Sequence, residues 1–124
     1  GSDTVVELDG EILGKPHSRE EAVSMLRRLS GREHRVHTAV QILSPTGSRS
    51  LVSTAEVHFA PMTDREIEWY VSTGEPMDKA GAYGIQGYAC RYITGIRGDY
   101  YTVMGLPVQM LYRALCDLGV LGEN

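Results

Sequence analysis

The sequence has little of several features that mark whole classes of protein. No basic cluster is longer than the pair Arg27-Arg28, and the formal net charge is −4. Nucleic-acid binding is driven by a concentrated positive face, so this composition argues against a nucleic-acid partner. No apolar run approaches the length of a membrane span, and no charged-then-apolar leader opens the chain. We therefore expect a cytoplasmic protein with no membrane partner.

Cysteine is also scarce. Cys90 and Cys116 lie far apart and have no histidine or cysteine neighbour at the spacing of a zinc site. Both lie among apolar residues, which predicts two buried thiols and leaves a disulfide as the less favoured alternative. The four histidines show no ligand spacing either: His34 and His37, three apart in a predicted strand, face opposite sides of a sheet. We predict structural or exposed histidines.

The composition that is present is typical of one globular domain. The 124 residues are 42% hydrophobic and 23% charged, which favours a packed core over a disordered chain. A chain of this length buries roughly two thirds of its unfolded surface. A single domain over residues 1–124 is therefore expected.

Turn signals separate several β-prone runs. Asp9-Gly10 is a strong two-residue hairpin turn, and residues 45–48 join two longer runs in the same way. The predicted strands cover residues 3–8, 11–13, 34–43, 50–59 and 88–96. Their order and spacing predict antiparallel hairpins.

Helix signals lie between these strands. Capping-box pairs open a helix at Ser18 and another at Thr63, and Pro107 stands at the start of a third. Residues 98–105 are predicted to be a loop with a short extended piece. The last helix carries an apolar stripe that we expect to face the core: Val108, Leu111, Tyr112, Leu115 and Leu118. The predicted fold class is mixed α/β, with helices packed on antiparallel hairpins.

The first segment that could carry chemistry is Asp3-Thr4, a carboxylate and a hydroxyl at the leading edge of an apolar strand. An acid in this place can act as a general base or hold a divalent cation. The alternative, favoured by these two residues taken alone, is an aspartate that caps a turn.

The second segment is residues 13–16, with the sequence LGKP. Gly14 lets the backbone approach a ligand and Pro16 fixes the exit direction, so Lys15 is placed by stiff neighbours in a way that suits a phosphate contact. A solvent-exposed loop lysine is the equal alternative. The spacing of a Walker loop is absent.

The third segment is residues 74–87, with the sequence GEPMDKAGAYGIQG. So many glycines cost stability through chain entropy, which indicates a role other than folding. The amide of Gln86 can read a base edge because it both donates and accepts, and Lys79 can neutralise phosphate oxygens. The alternative is a solvated linker, which the tyrosine and isoleucine content argues against.

Taken together, these segments resemble the Maf family, whose members are also called septum-formation inhibitor proteins. The resemblance runs in order across nearly the whole chain, and residues 74–87 are its most specific part. The matching stretches are residues 3–6 (DTVV), 13–16 (LGKP), 29–34 (LSGREH), 74–87, and 98–107 (GDYYTVMGLP).

The resemblance implies a nucleoside triphosphate pyrophosphatase, a house-cleaning hydrolase with the inosine-triphosphatase-like α/β architecture and a cleft between two lobes. It implies dependence on Mg²⁺ or Mn²⁺, with Asp3 as proton acceptor and metal ligand. Lys15 and Lys79 join Asp3 as catalytic residues. The expected substrate-binding residues are Thr4, Gln86, Glu75 and Tyr83.

Two branches of the family differ in substrate. The resemblance to the branch that prefers dTTP and UTP rests on Thr4, after the aspartate, and on Gln86. The branch that prefers 7-methyl-GTP tends to carry glutamine directly after the aspartate and is the alternative.

One departure from the family pattern affects the expected activity. Members begin with a segment resembling Ala-Ser-x-Ser-Pro-Arg-Arg, whose serine and arginine grip phosphates, and no such segment occurs here. The expectation is a Maf-like domain that lacks its N-terminal third. A nucleotide-binding or regulatory protein without turnover, linked to septum inhibition, is therefore the alternative. A shortened lobe exposes edge strands, which favours a homodimer.

Overall fold

The chain forms a mixed α/β fold around one antiparallel sheet, in a computed structural model that describes residues 1–121. The strands are β1 (Ser2–Leu8), β2 (Glu11–Leu13), β3 (Glu33–Ser44), β4 (Gly47–Phe59) and β5 (Ile93–Arg97). The helices are α1 (Arg19–Leu29), α2 (Asp64–Ser72), α3 (Tyr100–Met104) and α4 (Val108–Asp117). The order across the sheet is β2-β1-β3-β4-β5. The predicted fold class is confirmed.

Both hairpins form where their turn residues predict them. Asp9 and Gly10 have φ of 52° and 83°, the left-handed pair that a two-residue turn needs to match the twist of its strands. The long hairpin pairs β3 with β4 from Glu33↔His58 to Ser44↔Gly47. Alternation along β3 buries Val36, Thr38 and Val40 on one face.

Helices α1 and α2 cover the buried face of the sheet. The Ser18 hydroxyl accepts from the Glu21 amide at the start of α1, and at the start of α2 Thr63 and Glu66 form both halves of a capping box. The inner faces of the two helices join the strands in one core: Leu26, Leu29, Ile67, Tyr70 and Val71 are buried.

Two predictions of local structure were wrong. Residues 88–92 form a 3₁₀ turn before β5 begins at Ile93, because the main chain bonds locally, with the Cys90 amide donating to the Gly87 carbonyl at 3.2 Å. Residues 100–104, predicted as loop, form α3. The Asp99 carboxylate caps α3 by accepting from the Tyr101 amide, and Gly105 ends it in a left-handed conformation.

The predicted core stripe of α4 was also wrong in part. Val108 and Tyr112 are 46% and 43% exposed, and the buried residues of α4 are Ala114 and Cys116. The helix packs on the end of the long hairpin, against Val40 and Ile42, and this contact covers a narrower face of α4 than its apolar spacing predicts.

The prediction for the cysteines was half right. Cys116 is buried, whereas Cys90 is exposed, and neither forms a disulfide. Cys90 lies in the 3₁₀ turn that replaced the predicted strand, and the changed backbone direction turns its side chain outward. Across residues 1–121, no helix is both long enough and apolar enough to span a membrane.

Candidate functional site

A hollow of about 620 Å³ lies at the N-terminal end of β1. The glycine-rich segment, residues 74–87, supplies about half of the residues that line it, and the connector after β2 and helix α3 supply others. All seven site residues predicted from the sequence line this one hollow: Asp3, Thr4, Lys15, Glu75, Lys79, Tyr83 and Gln86. Segments up to 83 positions apart therefore meet in one place.

The hydroxyl of Thr4 belongs to a chain of hydrogen bonds whose direction can be deduced. Thr38 Oγ1 donates to the Thr102 carbonyl at 2.8 Å, and it lies 2.9 Å from Thr4 Oγ1. A hydroxyl carries one proton, so Thr4 must donate to Thr38. Thr4 therefore offers only acceptor lone pairs to anything that enters the hollow.

Asp3 lies at the rim of the hollow and is exposed. It follows β-strand alternation, so its side chain leaves β1 on the face opposite to that of Thr4. The strand edge is open here, because β2 pairs only with residues 6–8 of β1. Asp3 nevertheless lines the hollow.

Two lysines give the hollow its positive charge. Lys15 is exposed in the connector after β2, and the connector is tied to the glycine-rich segment by the Gly81 amide, which donates to the Gly14 carbonyl at 3.1 Å. The stem of Lys79 lies across Gly84, where a Cβ atom would approach Lys79 Cε to 2.6 Å. Lys79 Nζ is 3.4 Å from the Asp78 carboxylate. An alanine at position 84 would therefore displace the flexible end of the Lys79 side chain.

Glu75 uses both of its carboxylate oxygens within the protein. Oε2 accepts from the Tyr70 hydroxyl at 2.5 Å, and Oε1 accepts from the Tyr88 amide at 3.1 Å. The Tyr70 oxygen in turn accepts from the Gly84 amide at 3.2 Å. Sequence reasoning missed Tyr70 as a site residue, because its helical position indicated only an inward-facing core side chain.

Tyr83 reaches the hollow from the core. Its hydroxyl lies 2.6 Å from His34 Nε2, and its ring packs edge-on against His34 and Phe59. Burial raises the pKa of Tyr83 above its ordinary value, so the hydroxyl is a proton donor. Sequence reasoning also missed His34 as its partner, since 49 residues separate the two.

The histidine that holds Tyr83 is neutral. Burial, and secondarily the charge of His58, lower the pKa of His34 from 6.5 to about 4. His34 Nδ1 has no hydrogen-bond partner among the residues that the structure describes. Protonation would place an uncompensated charge in the core, which is costly.

This lowered pKa predicts a pH dependence of stability. The unfolded chain takes up a proton on His34 below pH 6.5 and the folded chain only near pH 4, so stability is full above 6.5 and falls between 6.5 and 4. The loss from this one group between pH 7 and pH 4 should be about 3 kcal/mol. Urea unfolding at several pH values should show this slope, and His34→Gln should flatten it. Equal slopes in the two proteins would contradict the prediction.

A second group of possible metal ligands lies outside the hollow. Strand pairing brings His58 beside Glu33 and Glu56, and one ligand atom from each residue lies within 4.8 Å of the others. His58 Nε2 is 2.8 Å from Glu56 and 3.4 Å from Glu33, so the carboxylates already have a partner. This grouping could not be seen from sequence spacing, because it depends on the β3–β4 register.

The hollow itself suits a hard cation only when phosphate is present. Asp3 and Asp78 offer carboxylate oxygens, whereas those of Glu75 are already bonded. Mg²⁺ is commonly held by one or two carboxylates together with substrate phosphates. The donor set of the hollow fits that mode of binding.

The fold and the hollow together define a class of protein. It is an α/β domain with an antiparallel sheet, in which two lysines and several carboxylates line a hollow at one end of the sheet. Within that class, the chain belongs to the Maf-like protein family, which it matches over residues 1–118. The family predicted from the sequence motifs is confirmed.

Three curated relatives that match most of the chain share the name dTTP/UTP pyrophosphatase. The chain is 52% identical over 120 residues to the dTTP/UTP pyrophosphatase of Bacillus velezensis, covering 97% of this chain and 64% of the relative. It is 54% identical over 121 residues to that of Symbiobacterium thermophilum, covering 96% and 61%. For the Thermus thermophilus protein the identity is 51% over 118 residues, covering 95% and 63%. The chain thus spans less than two thirds of the length of these relatives.

Proposed function

We propose that the chain is the greater part of a nucleoside triphosphate pyrophosphatase that hydrolyses dTTP and UTP to the monophosphate and pyrophosphate. The observation that carries the proposal is the meeting of Lys15, Lys79 and Asp3 at one hollow. A triphosphate needs fixed cations on several oxygens and one base near the attacked phosphorus. The printed names of the relatives support the same reaction.

In the proposed mechanism the two lysines hold the phosphates. They approach from different segments, and the Gly81–Gly14 hydrogen bond keeps those segments together. Charge that builds up on the phosphate oxygens in the transition state is offset by both ammonium groups. Asp3 orients or deprotonates the water that attacks the α-phosphorus. Mg²⁺ or Mn²⁺, held by Asp3 and the phosphates, would supply further neutralisation.

Thr4 and Gln86 are proposed to recognise the nucleoside. Because the Thr4 hydroxyl donates its hydrogen bond to Thr38, it can only accept from the ligand. It therefore suits an N–H or O–H donor better than a phosphate oxygen. Thymine and uracil both carry an imide N–H. Gln86 offers a donor and an acceptor together, and Tyr83 supplies a ring whose hydroxyl is held by His34.

Partners and location follow from the same reading. The net charge of −4 and the lack of a long basic cluster argue against nucleic acid and are compatible with a small anionic ligand, and a sequence with two cysteines and no apolar run of membrane-span length is typical of the cytoplasm. The open edge of β1 and the exposed side chains of Leu43 and Val52 support a homodimer. We propose all three.

A substrate comparison tests the proposed function. Pyrophosphate release should be measured with dTTP, UTP and 7-methyl-GTP, using the chain and a fusion that adds the unmatched part of the Bacillus velezensis relative. We expect dTTP and UTP to be hydrolysed at least about tenfold faster than 7-methyl-GTP, the size of one well-placed polar contact. A preference for 7-methyl-GTP would favour the other branch. Nucleotide binding without turnover in both proteins would favour the regulatory alternative.

A further inference from the structure

Hydrogen bonds of the Glu75 carboxylate and the Tyr70 hydroxyl join the glycine-rich segment to helix α2. Glu75 accepts from the Tyr70 hydroxyl on one oxygen and from the Tyr88 amide on the other, and Tyr70 also accepts from the Gly84 amide. The bonds therefore attach both ends of residues 84–88 to a single point. Gln86, the residue proposed to read the base, lies midway between them.

That point is rigid because Tyr70 belongs to the core. It is fully buried in α2, and its ring packs against Tyr92 at 6.2 Å between centroids. Burial and then the bond to Glu75 raise the pKa of Tyr70 above its ordinary value, which keeps the hydroxyl as a donor. A charge-assisted hydrogen bond from a buried, immobile group holds a loop better than bonds within the loop itself.

The glycine at position 87 leaves room for the Glu75 carboxylate. A Cβ atom there would lie 1.8 Å from Glu75 Oε1, so any side chain would displace the carboxylate. Gly87 has an ordinary negative φ of −96°, and backbone conformation therefore does not explain the glycine. The space taken by Glu75 does.

We propose that Tyr70 and Glu75 form a positioning clamp that sets the place of Gln86, and that Glu75 acts through the loop rather than as a ligand of metal or phosphate. The inference rests on the proposed function for its effect on turnover, but the clamp itself does not. Base recognition by Gln86 is worth most when the loop is already in place, because ordering it on binding costs affinity.

Two variants separate the clamp from a ligand role for Glu75. Tyr70→Phe keeps the packing and removes the hydroxyl, so we expect KM for dTTP to rise about tenfold while kcat changes less than about threefold. Glu75→Gln removes the charge and one acceptor oxygen from the same bonds, so a clamp predicts the same pattern: KM for dTTP rises while kcat changes less than about threefold. If Glu75 instead binds metal or phosphate, Glu75→Gln loses kcat and Tyr70→Phe leaves both KM and kcat near the parent values. That outcome would overturn the clamp.

Amide hydrogen exchange tests the clamp without any turnover. We expect the Gly84 and Tyr88 amides to exchange at least about tenfold faster in Tyr70→Phe and in Gly87→Ala. Tyr92→Phe is the matched control, because it removes the hydroxyl of a buried tyrosine whose ring packs against Tyr70 but none of the bonds to the loop. Unchanged exchange at Gly84 and Tyr88 in Tyr70→Phe would overturn the proposal. If the parent hydrolyses no nucleotide but exchange responds, the proposed function fails and the clamp stands.

Discussion

Asp3→Asn should lower the rate of pyrophosphate release from dTTP by about 10²–10⁴-fold, the usual contribution of a general base. The substitution keeps the size and shape of the side chain but removes its basicity and its charge and replaces one acceptor oxygen with an NH₂ donor. Folding should be unaffected, because Asp3 is exposed at the end of β1. The measurement is kcat/KM for dTTP in whichever form of the protein is active in the substrate comparison.

The control for this loss is Glu68→Gln, which removes an exposed carboxylate from α2 outside the hollow. It should leave kcat/KM within about twofold, the usual size of a surface effect. Wild-type turnover in Asp3→Asn would remove Asp3 from the mechanism. Such a result would agree with the strand alternation, which directs Asp3 away from the face that carries Thr4, and would leave the lysines as the main catalytic groups.

Gly81→Ala should lower the free energy of unfolding by about 2–4 kcal/mol. Gly81 has φ of +70°, and a Cβ atom there would lie 2.9–3.0 Å from three carbons of Val6. The left-handed conformation costs an L-residue about 1 kcal/mol, and overpacking a core side chain costs about 1–3 kcal/mol more. Val6 is buried in β1 between two strands, so it has little room to move. Urea unfolding followed by circular dichroism measures the change.

Gly14→Ala is the matched control for Gly81→Ala. A Cβ atom at Gly14 meets nothing within 4 Å and its backbone is not left-handed, so the free energy of unfolding should change by less than about 0.5 kcal/mol. Equal stability in the two variants would show that the glycine-rich segment can move away from β1. The clash between an added Cβ atom at position 81 and Val6 would then be relieved without a measurable loss in the free energy of unfolding.

These experiments bear on why the segment is rich in glycine. Glycine weakens a fold, so its abundance in residues 74–87 predicts a role other than folding. Two of the glycines instead have steric reasons within the fold: Gly81 against Val6, and Gly87 against Glu75. The two explanations agree in part, because Glu75 itself lines the hollow.

Helix starts and hairpin turns could be predicted from the sequence because each depends on residues that are close together in the chain. A cap needs a side chain three residues from an amide, and a hairpin turn needs two residues with the right φ, so Ser18, Thr63 and Asp9-Gly10 could be recognised in the sequence. Residues 88–92 and helix α3 were misassigned because their aromatic and β-branched residues suit a strand in isolation. Local hydrogen bonds and the cap at Asp99 overrode that preference.

The sequence by itself determined the family and the alternation that buries one face of the sheet, and it singled out the seven residues that line one hollow in the structure. Each of these depends on residue identity and short spacing. Only the tertiary structure decided which polar groups are already hydrogen-bonded to one another: Tyr70 with Glu75, His34 with Tyr83, and Thr4 with Thr38. Hydrogen bonds between residues distant in sequence follow from strand register and helix packing, and it is those bonds that decide whether a polar side chain is left for a ligand.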